Sequence, residues 1–375
     1  MDVLRKISMP LVGVLTAAIS ISLVLCGNPG NMGFCVACFL RDTAGAVGLH
    51  RAAPVQYVRP EIIGIILGAF IVSLIKKEFS PKGGSAPVTR FVLGFALMIG
   101  ALIFLGCPLR MALRIAGGDL NAVVGFFGFA GGIFGGVFFL NKGYSLKRTY
   151  EVSKTDGFLT PLSSLILLGL LVIVPSLLFF STEGPGSMHA PLIIALSSGL
   201  VMGAVGLISR FCFVAGIRDS VLLKDFSMFG AFAALIIAGI IGNLIFGSFH
   251  LGFENQPIAH TDGVWNFLGM SLVGFCSALL GGCPFKQLVL AGSGNSDSAV
   301  TILGMITGAA FAHNFGMAAS PSGVTVNGII GFAVVGIVVL FIAAYNTFFR
   351  KKESDISVEE SESYSKESES QSIGE

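Results

Sequence analysis

Long apolar blocks separated by short polar segments run through most of this chain. Each block is close to the roughly 20 residues that a helix needs to cross a bilayer. The pattern predicts an all-α polytopic membrane protein with about ten transmembrane helices. The predicted spans are residues 10–26, 60–76, 90–106, 121–140, 161–180, 189–208, 227–247, 265–281, 299–318 and 327–349.

Four segments between these spans are too short or too interrupted to cross a bilayer: residues 27–58, 107–120, 209–226 and 282–298. They contain Gly, Cys and charged residues, although apolar spans lie on both sides of each. Irregular backbone at membrane depth is tolerated only inside protein or beside a water-filled cavity. We therefore predict four re-entrant or half-helix segments.

The composition excludes an ordinary soluble domain. Of the 375 residues, 54% are hydrophobic and only 12% are charged, about half of the roughly 25% that soluble domains carry. The net charge of +2 says little about partners, and we expect no nucleic-acid partner. Residues 350–375 are rich in Glu and Ser and almost free of apolar side chains, which predicts a disordered, solvated tail.

The distribution of Lys and Arg predicts the orientation. If both termini lie in the cytoplasm, thirteen Lys and Arg residues fall in cytoplasmic loops and termini. The opposite loops, 181–188, 248–264 and 319–326, contain none. This bias is typical of inner-membrane proteins, so we predict a multi-pass protein of a prokaryotic cytoplasmic membrane with both termini inside.

Two motifs occur twice in the same order. Phe-Cys followed by Arg-Asp, and Gly-Cys-Pro, recur at offsets of 177 and 176 residues. The copies are Phe34-Cys35 with Arg41-Asp42, Phe211-Cys212 with Arg218-Asp219, Gly106-Cys107-Pro108, and Gly282-Cys283-Pro284. Each half contains four predicted spans, which return the chain to its starting side, and the single span 161–180 carries it across, so the second half is inverted. Inverted repeats place substrate sites where broken helices meet near mid-membrane.

We therefore divide the chain into two inverted halves with connecting elements. Residues 1–150 form the first half, 151–188 a connecting span, 189–326 the inverted second half, 327–349 a final span, and 350–375 the tail.

The seven cysteines divide into two groups. A lone Cys is usually a small buried hydrophobe, and we assign Cys26 and Cys276 to packing. Four cysteines, in contrast, are paired by the repeat and adjoin helix-breaking residues, which predicts a functional cluster: Cys35, Cys107, Cys212 and Cys283. Cys38 aligns with Ala215 and is a candidate extra thiol of the first half.

The Gly-Cys-Pro motif predicts a helix that begins at its proline. Proline suits the first helical position, so helices starting at Pro108 and Pro284 would point their positive N-termini at Cys107 and Cys283. Such an end favours an anion or a thiolate.

The charged residues of the four interrupted segments face a pathway or a partner, because charge at membrane depth is costly. We interpret Arg41 with Asp42, and Arg218 with Asp219, as structural ion pairs. Arg110 and Lys286 follow the Gly-Cys-Pro motifs, and two roles stay open for them: attracting an anion, or extending to the interface.

Neither a bound metal nor a cofactor is predicted by the sequence. The five His residues lack metal-ligand spacing, and Cys35-Val-Ala-Cys38 is a single CxxC without the second pair of a zinc site. We expect a protein that is not an enzyme.

The repeated Gly-Cys-Pro and Phe-Cys…Arg-Asp motifs resemble the YeeE/YedE family of sulfur transport proteins, which includes thiosulfate transporters. The stretch from Gly27 to Glu61 looks like the family branch of selenium transporters. The resemblance implies a small sulfur or selenium anion as substrate, passed along cysteines by S–H···S hydrogen bonds. The apolar spans make the lipid bilayer a partner, and a cytoplasmic sulfur- or selenium-acceptor protein is a further candidate partner.

Two alternatives remain open from the sequence. One is a membrane thiol oxidoreductase with Cys35 and Cys38 as its redox pair, and the other is a passive anion channel between opposed half-helices.

Overall fold

The computed structural model describes residues 2–349, with side chains for residues 9–348. The predicted disordered tail, 350–375, lies outside these residues. The described part of the chain folds into ten long α-helices and four short ones, with two 3-10 helices (Ala53–Val55 and Pro175–Leu177) and one π-helix (Tyr345–Phe349). The α-helices are α1 (Asp2–Leu25), α2 (Val36–Ala46), α3 (Pro60–Ile75), α4 (Pro87–Phe104), α5 (Pro108–Ala116), α6 (Leu120–Asn141), α7 (Lys154–Ile173), α8 (Leu192–Ser209), α9 (Phe213–Leu222), α10 (Ser227–Ile245), α11 (Gly263–Leu280), α12 (Pro284–Gly292), α13 (Ser296–Asn314) and α14 (Val326–Ala344).

The prediction of an all-α polytopic membrane protein is confirmed. Eight helical segments of the described chain are long and apolar enough to cross a bilayer. The two remaining long helices are α1, whose apolar part is the shorter Met9–Leu25, and α13. Each of the four interrupted segments contains one short helix, which is α2, α5, α9 or α12.

The span predicted at 161–180 is displaced along the chain. Helix α7 begins seven residues earlier, at Lys154, because the Ser153 side chain caps it by accepting a hydrogen bond from the Asp156 N–H. It ends at Ile173, since a residue before a proline is disfavoured in the helical conformation and Pro175 follows Val174.

The loops carry little regular structure. Strands β1 (Lys82–Gly83) and β2 (Tyr150–Glu151) pair antiparallel and join the two loops 76–86 and 142–153. Both loops belong to the basic set that the Lys and Arg distribution assigns to the cytoplasm.

The helices of the two halves pack against each other in matching pairs. Helix α1 packs on α10, and α8 packs on α3 in the same way; α4 packs on α13, and α11 on α6. Helices α4 and α11 also contact one another directly. A twofold relation between the two halves would produce this exchange of packing partners.

Close glycine contacts repeat across the halves as well. A methyl group on Gly128 would lie 2.1 Å from the Phe267 carbonyl oxygen, and one on Gly304 would lie 2.2 Å from that of Phe91. The two contacts are related by a single offset of 176 residues. Small residues allow this close helix approach in membranes.

The orientation can be tested with reporter fusions. We expect a fusion after Lys147 to report the cytoplasm and a fusion after Phe249 to report the outside, because the basic residues fall on the first side. Paired alkaline phosphatase and fluorescent-protein fusions measure this. The same compartment signal from both sites would contradict the inverted topology.

Candidate functional site

Four cysteines stand directly before the four short helices. Cys35, Cys107, Cys212 and Cys283 have extended backbone conformations and are the N-caps of α2, α5, α9 and α12. As the sequence predicts, α5 begins at Pro108 and α12 at Pro284. The positive end of each short helix is therefore directed at a thiol.

Three of the thiols form a cluster in the first half, which we call the first thiol cluster: Cys35, Cys38 and Cys107. The Sγ atoms of Cys35 and Cys38 are 2.8 Å apart, and the Cys38 N–H donates to Cys35 Sγ over 3.3 Å. The Cys107 thiol interacts with that of Cys35. All three side chains are buried, so the extra thiol at position 38 joins the repeated pair.

Two thiols form the second thiol pair, in the other half. Cys212 Sγ and Cys283 Sγ are 3.9 Å apart, and both side chains are buried. The pair thus repeats the arrangement of Cys35 and Cys107, with a thiol from one short helix against a thiol from another. Phe211 and Phe213, on either side of Cys212, are buried and stack edge to face.

The remaining two cysteines stay outside these groups. Cys276 is buried within α11, and Cys26 is half-buried just after α1. Neither precedes a short helix. All seven cysteines lie within the described residues and are free thiols.

Arg110 lies on α5 beside the first thiol cluster and is completely buried. Its guanidinium donates to Cys38 Sγ over 3.6 Å, to the Ile258 carbonyl over 3.2 Å, and to the Leu105 carbonyl. Among residues 9–348 it takes part in no ion pair, in contrast to Arg114 one turn later, which pairs with Asp119 at 2.6 Å. A buried guanidinium held by neutral acceptors keeps its charge available to an anion.

Lys286 occupies the matching position after Cys283. Its side chain is half-buried, and its stem runs along Gly282. It lies in the first turn of α12, the helix that Cys283 caps. Each group of thiols therefore has a cationic side chain beside it.

The two Arg-Asp motifs both form ion pairs, but in different surroundings. Arg41 and Asp42 are 2.7 Å apart and buried, whereas Arg218 and Asp219 are 2.8 Å apart and partly exposed. Asp42 also forms an ion pair with Arg59, at 2.8 Å. The sequence reasoning missed Arg59, whose only signal was a basic residue directly before the helix-starting Pro60.

A cavity of about 310 Å³ lies beside Arg41 and beside two residues, Leu105 and Ile258, whose carbonyl groups accept from Arg110. Its lining includes Arg41, Leu105 and His313, together with Pro185 and Ile258 from two loops. Those two loops are among the segments free of Lys and Arg that the orientation assigns to the outside. The cavity thus connects a loop surface with the residues around Arg41 and Arg110.

Residues 208–372 match the model of the sulphur transport family. The matched segment covers less than half of the chain and includes the second copies of both repeated motifs. It supports the resemblance seen in the sequence, and it fits a multi-pass membrane protein that transports a sulfur compound. No curated protein sequence matches the chain.

Proposed function

We propose that this protein transports a small sulfur-containing anion across a prokaryotic cytoplasmic membrane, along a path lined by Cys35, Cys38, Cys107, Cys212 and Cys283. The observation that carries the proposal is the position of four of these buried thiols as N-caps of four short helices. The similarity of residues 208–372 to the sulphur transport family points to the same substrate class.

The local chemistry suits a soft anion. A helix N-terminus offers partial positive charge and unsatisfied N–H groups, and so stabilises negative charge close to it. A thiol is a weak donor and a polarisable contact, so a sulfur atom of the substrate can bind it and leave again. Four such ends, two in each half, give an anion successive places to bind.

The cationic residues complete this arrangement. Arg110 lies within hydrogen-bonding reach of Cys38, and Lys286 lies in the first turn of the helix that Cys283 caps. We assign both to attracting the anion, one at each group of thiols. Arg41 with Asp42, and Arg218 with Asp219, hold the short helices α2 and α9 as structural ion pairs.

The identity of the substrate, the orientation of the termini and the division of the chain are part of the same proposal. Thiosulfate is the first candidate substrate, and a selenium oxyanion is the second, on the resemblance of residues 27–61 to selenium transporters. Both termini lie in the cytoplasm, where an acceptor protein can receive the product. Residues 1–150 and 189–326 are the two inverted halves, 151–188 connects them, and 327–349 is the final span.

A second candidate is a membrane thiol oxidoreductase. The 2.8 Å separation of Cys35 Sγ and Cys38 Sγ favours it, because two thiols at this separation are placed to form a disulfide. It gives no role to the second thiol pair, however. Replacing Cys38 alone separates the two functions: it abolishes such an enzyme, but only modulates a transporter in which Cys35 and Cys107 remain.

The function can be tested by uptake of sulfur-35-labelled thiosulfate into cells lacking other sulfate and thiosulfate transporters. We expect saturable uptake that depends on the protein, with unlabelled thiosulfate competing best and selenite or sulfide revealing the range of substrates. Uptake that rises linearly without saturation would favour a passive channel. Absence of uptake for every sulfur and selenium anion would contradict the proposal.

A further inference from the structure

A buried carboxylate outside the thiol groups has one oxygen without a partner. Glu61 lies in the first turn of α3 and is completely buried. Its Oε1 accepts a hydrogen bond from Asn28 Nδ2 over 2.8 Å, whereas no described residue donates to or accepts from Oε2. A buried carboxylate oxygen without a partner is costly, so this position points to a ligand that binds there.

The charged groups nearest to Glu61 are Arg59 and Asp42, which interact with it by charge, but the hydrogen bonds of Arg59 go to other acceptors. Arg59 is the nearest cation along the chain, but it donates to Asp42 Oδ2 over 2.9 Å, to the Met188 carbonyl over 3.0 Å and to the Pro185 carbonyl over 2.7 Å. Helix α8, which packs along α3, has no ionisable side chain between 192 and 209.

Two further titratable groups face this region. Tyr57 lies close enough to Glu61 for the two charges to interact, and the His189 ring stacks on Tyr57 with ring centroids 4.0 Å apart. Neither side chain hydrogen-bonds the carboxylate in the described residues. The described residues bring together no group of three or more His, Cys, Asp or Glu side chains that could hold a metal ion. A single free carboxylate oxygen therefore suits a proton better than a metal cation, which needs several oxygen ligands.

Asn28 connects Glu61 to the thiols. The same Nδ2 that donates to Glu61 also donates to the Gly33 carbonyl over 3.1 Å, two residues before Cys35. Its Oδ1 accepts from the Ala190 N–H over 2.8 Å, at the beginning of the second half. The bond from Asn28 is stronger to an ionised carboxylate than to a neutral one, so the protonation state of Glu61 acts on the loop that holds Cys35.

Helix α10 is the counterpart of α3 in the packing of the two halves. Residues 227–245 of α10 include no ionisable side chain, although Asp225 lies two residues before the helix. Of these two helices, α3 alone carries a carboxylate, Glu61. Arg41, the partner of Asp42, extends this network to the cavity of about 310 Å³.

We propose that Glu61 binds a proton on Oε2 during the transport cycle and couples anion movement past Cys35 to proton movement. The proposal rests on the transport function proposed above. When Glu61 is ionised it holds Asn28 and the Cys35 loop in place; when it takes up a proton that bond weakens and the loop is released. The substitution Glu61→Gln keeps an acceptor for Asn28 but removes the titratable oxygen, which makes it the informative change.

The transport test uses the full chain in proteoliposomes with labelled thiosulfate. We expect an imposed acid-outside gradient to increase net uptake severalfold for the unaltered protein, and to leave uptake by Glu61→Gln unchanged. Exchange of labelled for unlabelled thiosulfate should persist in Glu61→Gln, because exchange needs no net proton movement. Glu254→Gln, the same substitution at an exposed loop position, should keep the full response to the gradient. A Glu61→Gln protein that keeps the full response would overturn the proposal, as would a sodium gradient replacing the proton gradient as the driving force.

A second measurement requires no transport. Infrared difference spectra of the protein in lipid, recorded while the pH is changed, report the C=O stretch of a protonated carboxylic acid. We expect a titrating band that is absent in Glu61→Gln and present in Glu254→Gln. If no thiosulfate moves but this band is present, the transport function fails while the proton site stands. If the bands of the unaltered protein and of Glu61→Gln are identical, the proton site fails whatever the transport result.

Discussion

Replacing Cys107 or Cys283 with Ala is expected to reduce anion uptake by about tenfold or more while leaving the protein folded. Each thiol is the N-cap of a short helix and contacts a second thiol from another short helix. A hydrogen bond to a charged group contributes about 1.5–3 kcal/mol, and each 1.4 kcal/mol or so changes a binding constant about tenfold. Initial rates of labelled thiosulfate uptake at matched expression measure the loss.

The chain supplies matched controls for this experiment. Cys276 is as deeply buried as Cys107 but lies within α11, away from the short helices, and Cys26 is half-buried after α1. Cys276→Ala and Cys26→Ala should change uptake little. Cys107→Ser should restore only part of the activity, because a hydroxyl donates a hydrogen bond but is smaller and less polarisable than a thiol. Equal tolerance of all these replacements would leave the cysteines as packing residues and remove the proposed mechanism.

The helix boundaries that the sequence predicts best are those with a local signal. Gly-Cys-Pro contains a helix breaker, a cap and a first-turn proline within three residues, so α5 and α12 begin where the pattern predicts. Helix α7 starts earlier than its apolar block because its start depends on Ser153, a polar cap that a search for apolar spans does not detect.

The missed residues depend on contacts between distant parts of the chain. Asn28 reaches Glu61 across 33 positions, and Arg59 reaches the Pro185 carbonyl across 126. Neither contact has a spacing that a sequence pattern reveals, and neither residue is repeated in the second half. The repeat drew attention to the symmetric thiols, whereas the asymmetric network became visible only from the packing of α3 beside the loops.

Arg110 likewise combines a local signal with distant contacts. The Gly-Cys-Pro motif predicts its position, but no sequence pattern predicts its environment. The sequence left open whether this side chain attracts an anion or extends to the interface. In the structure it is completely buried, and its acceptors include the Ile258 carbonyl, 148 positions away along the chain. Burial among carbonyl groups without a carboxylate favours the first role, since an interfacial side chain would keep its charged end in water.

Arg110→Gln is expected to weaken anion binding, whereas Arg114→Gln is expected to lower stability, although both arginines are completely buried on the same short helix. Arg110 contacts Cys38 and has no ion pair among residues 9–348, so its loss should raise the KM for the anion about tenfold or more, on the scale of one hydrogen bond to a charged group. Arg114 pairs with Asp119 at 2.6 Å. Its loss leaves a buried carboxylate unpaired, which costs about 3–5 kcal/mol of stability.

The two expectations are separated by measuring KM and thermal stability for each variant in the same lipid. Arg110→Gln should show the raised KM with a melting temperature closer to that of the unaltered protein, and Arg110→Lys should recover part of the affinity, because it returns the charge without the forked donors. Arg114→Gln should melt at a markedly lower temperature, with a nearly unchanged KM in whatever fraction stays folded. If Arg110→Gln lowers the melting temperature as much as Arg114→Gln and leaves KM unchanged, then Arg110 serves only to tie the carbonyl groups around α5 together. The anion would in that case depend on the helix ends and the thiols alone for its attraction to the first cluster.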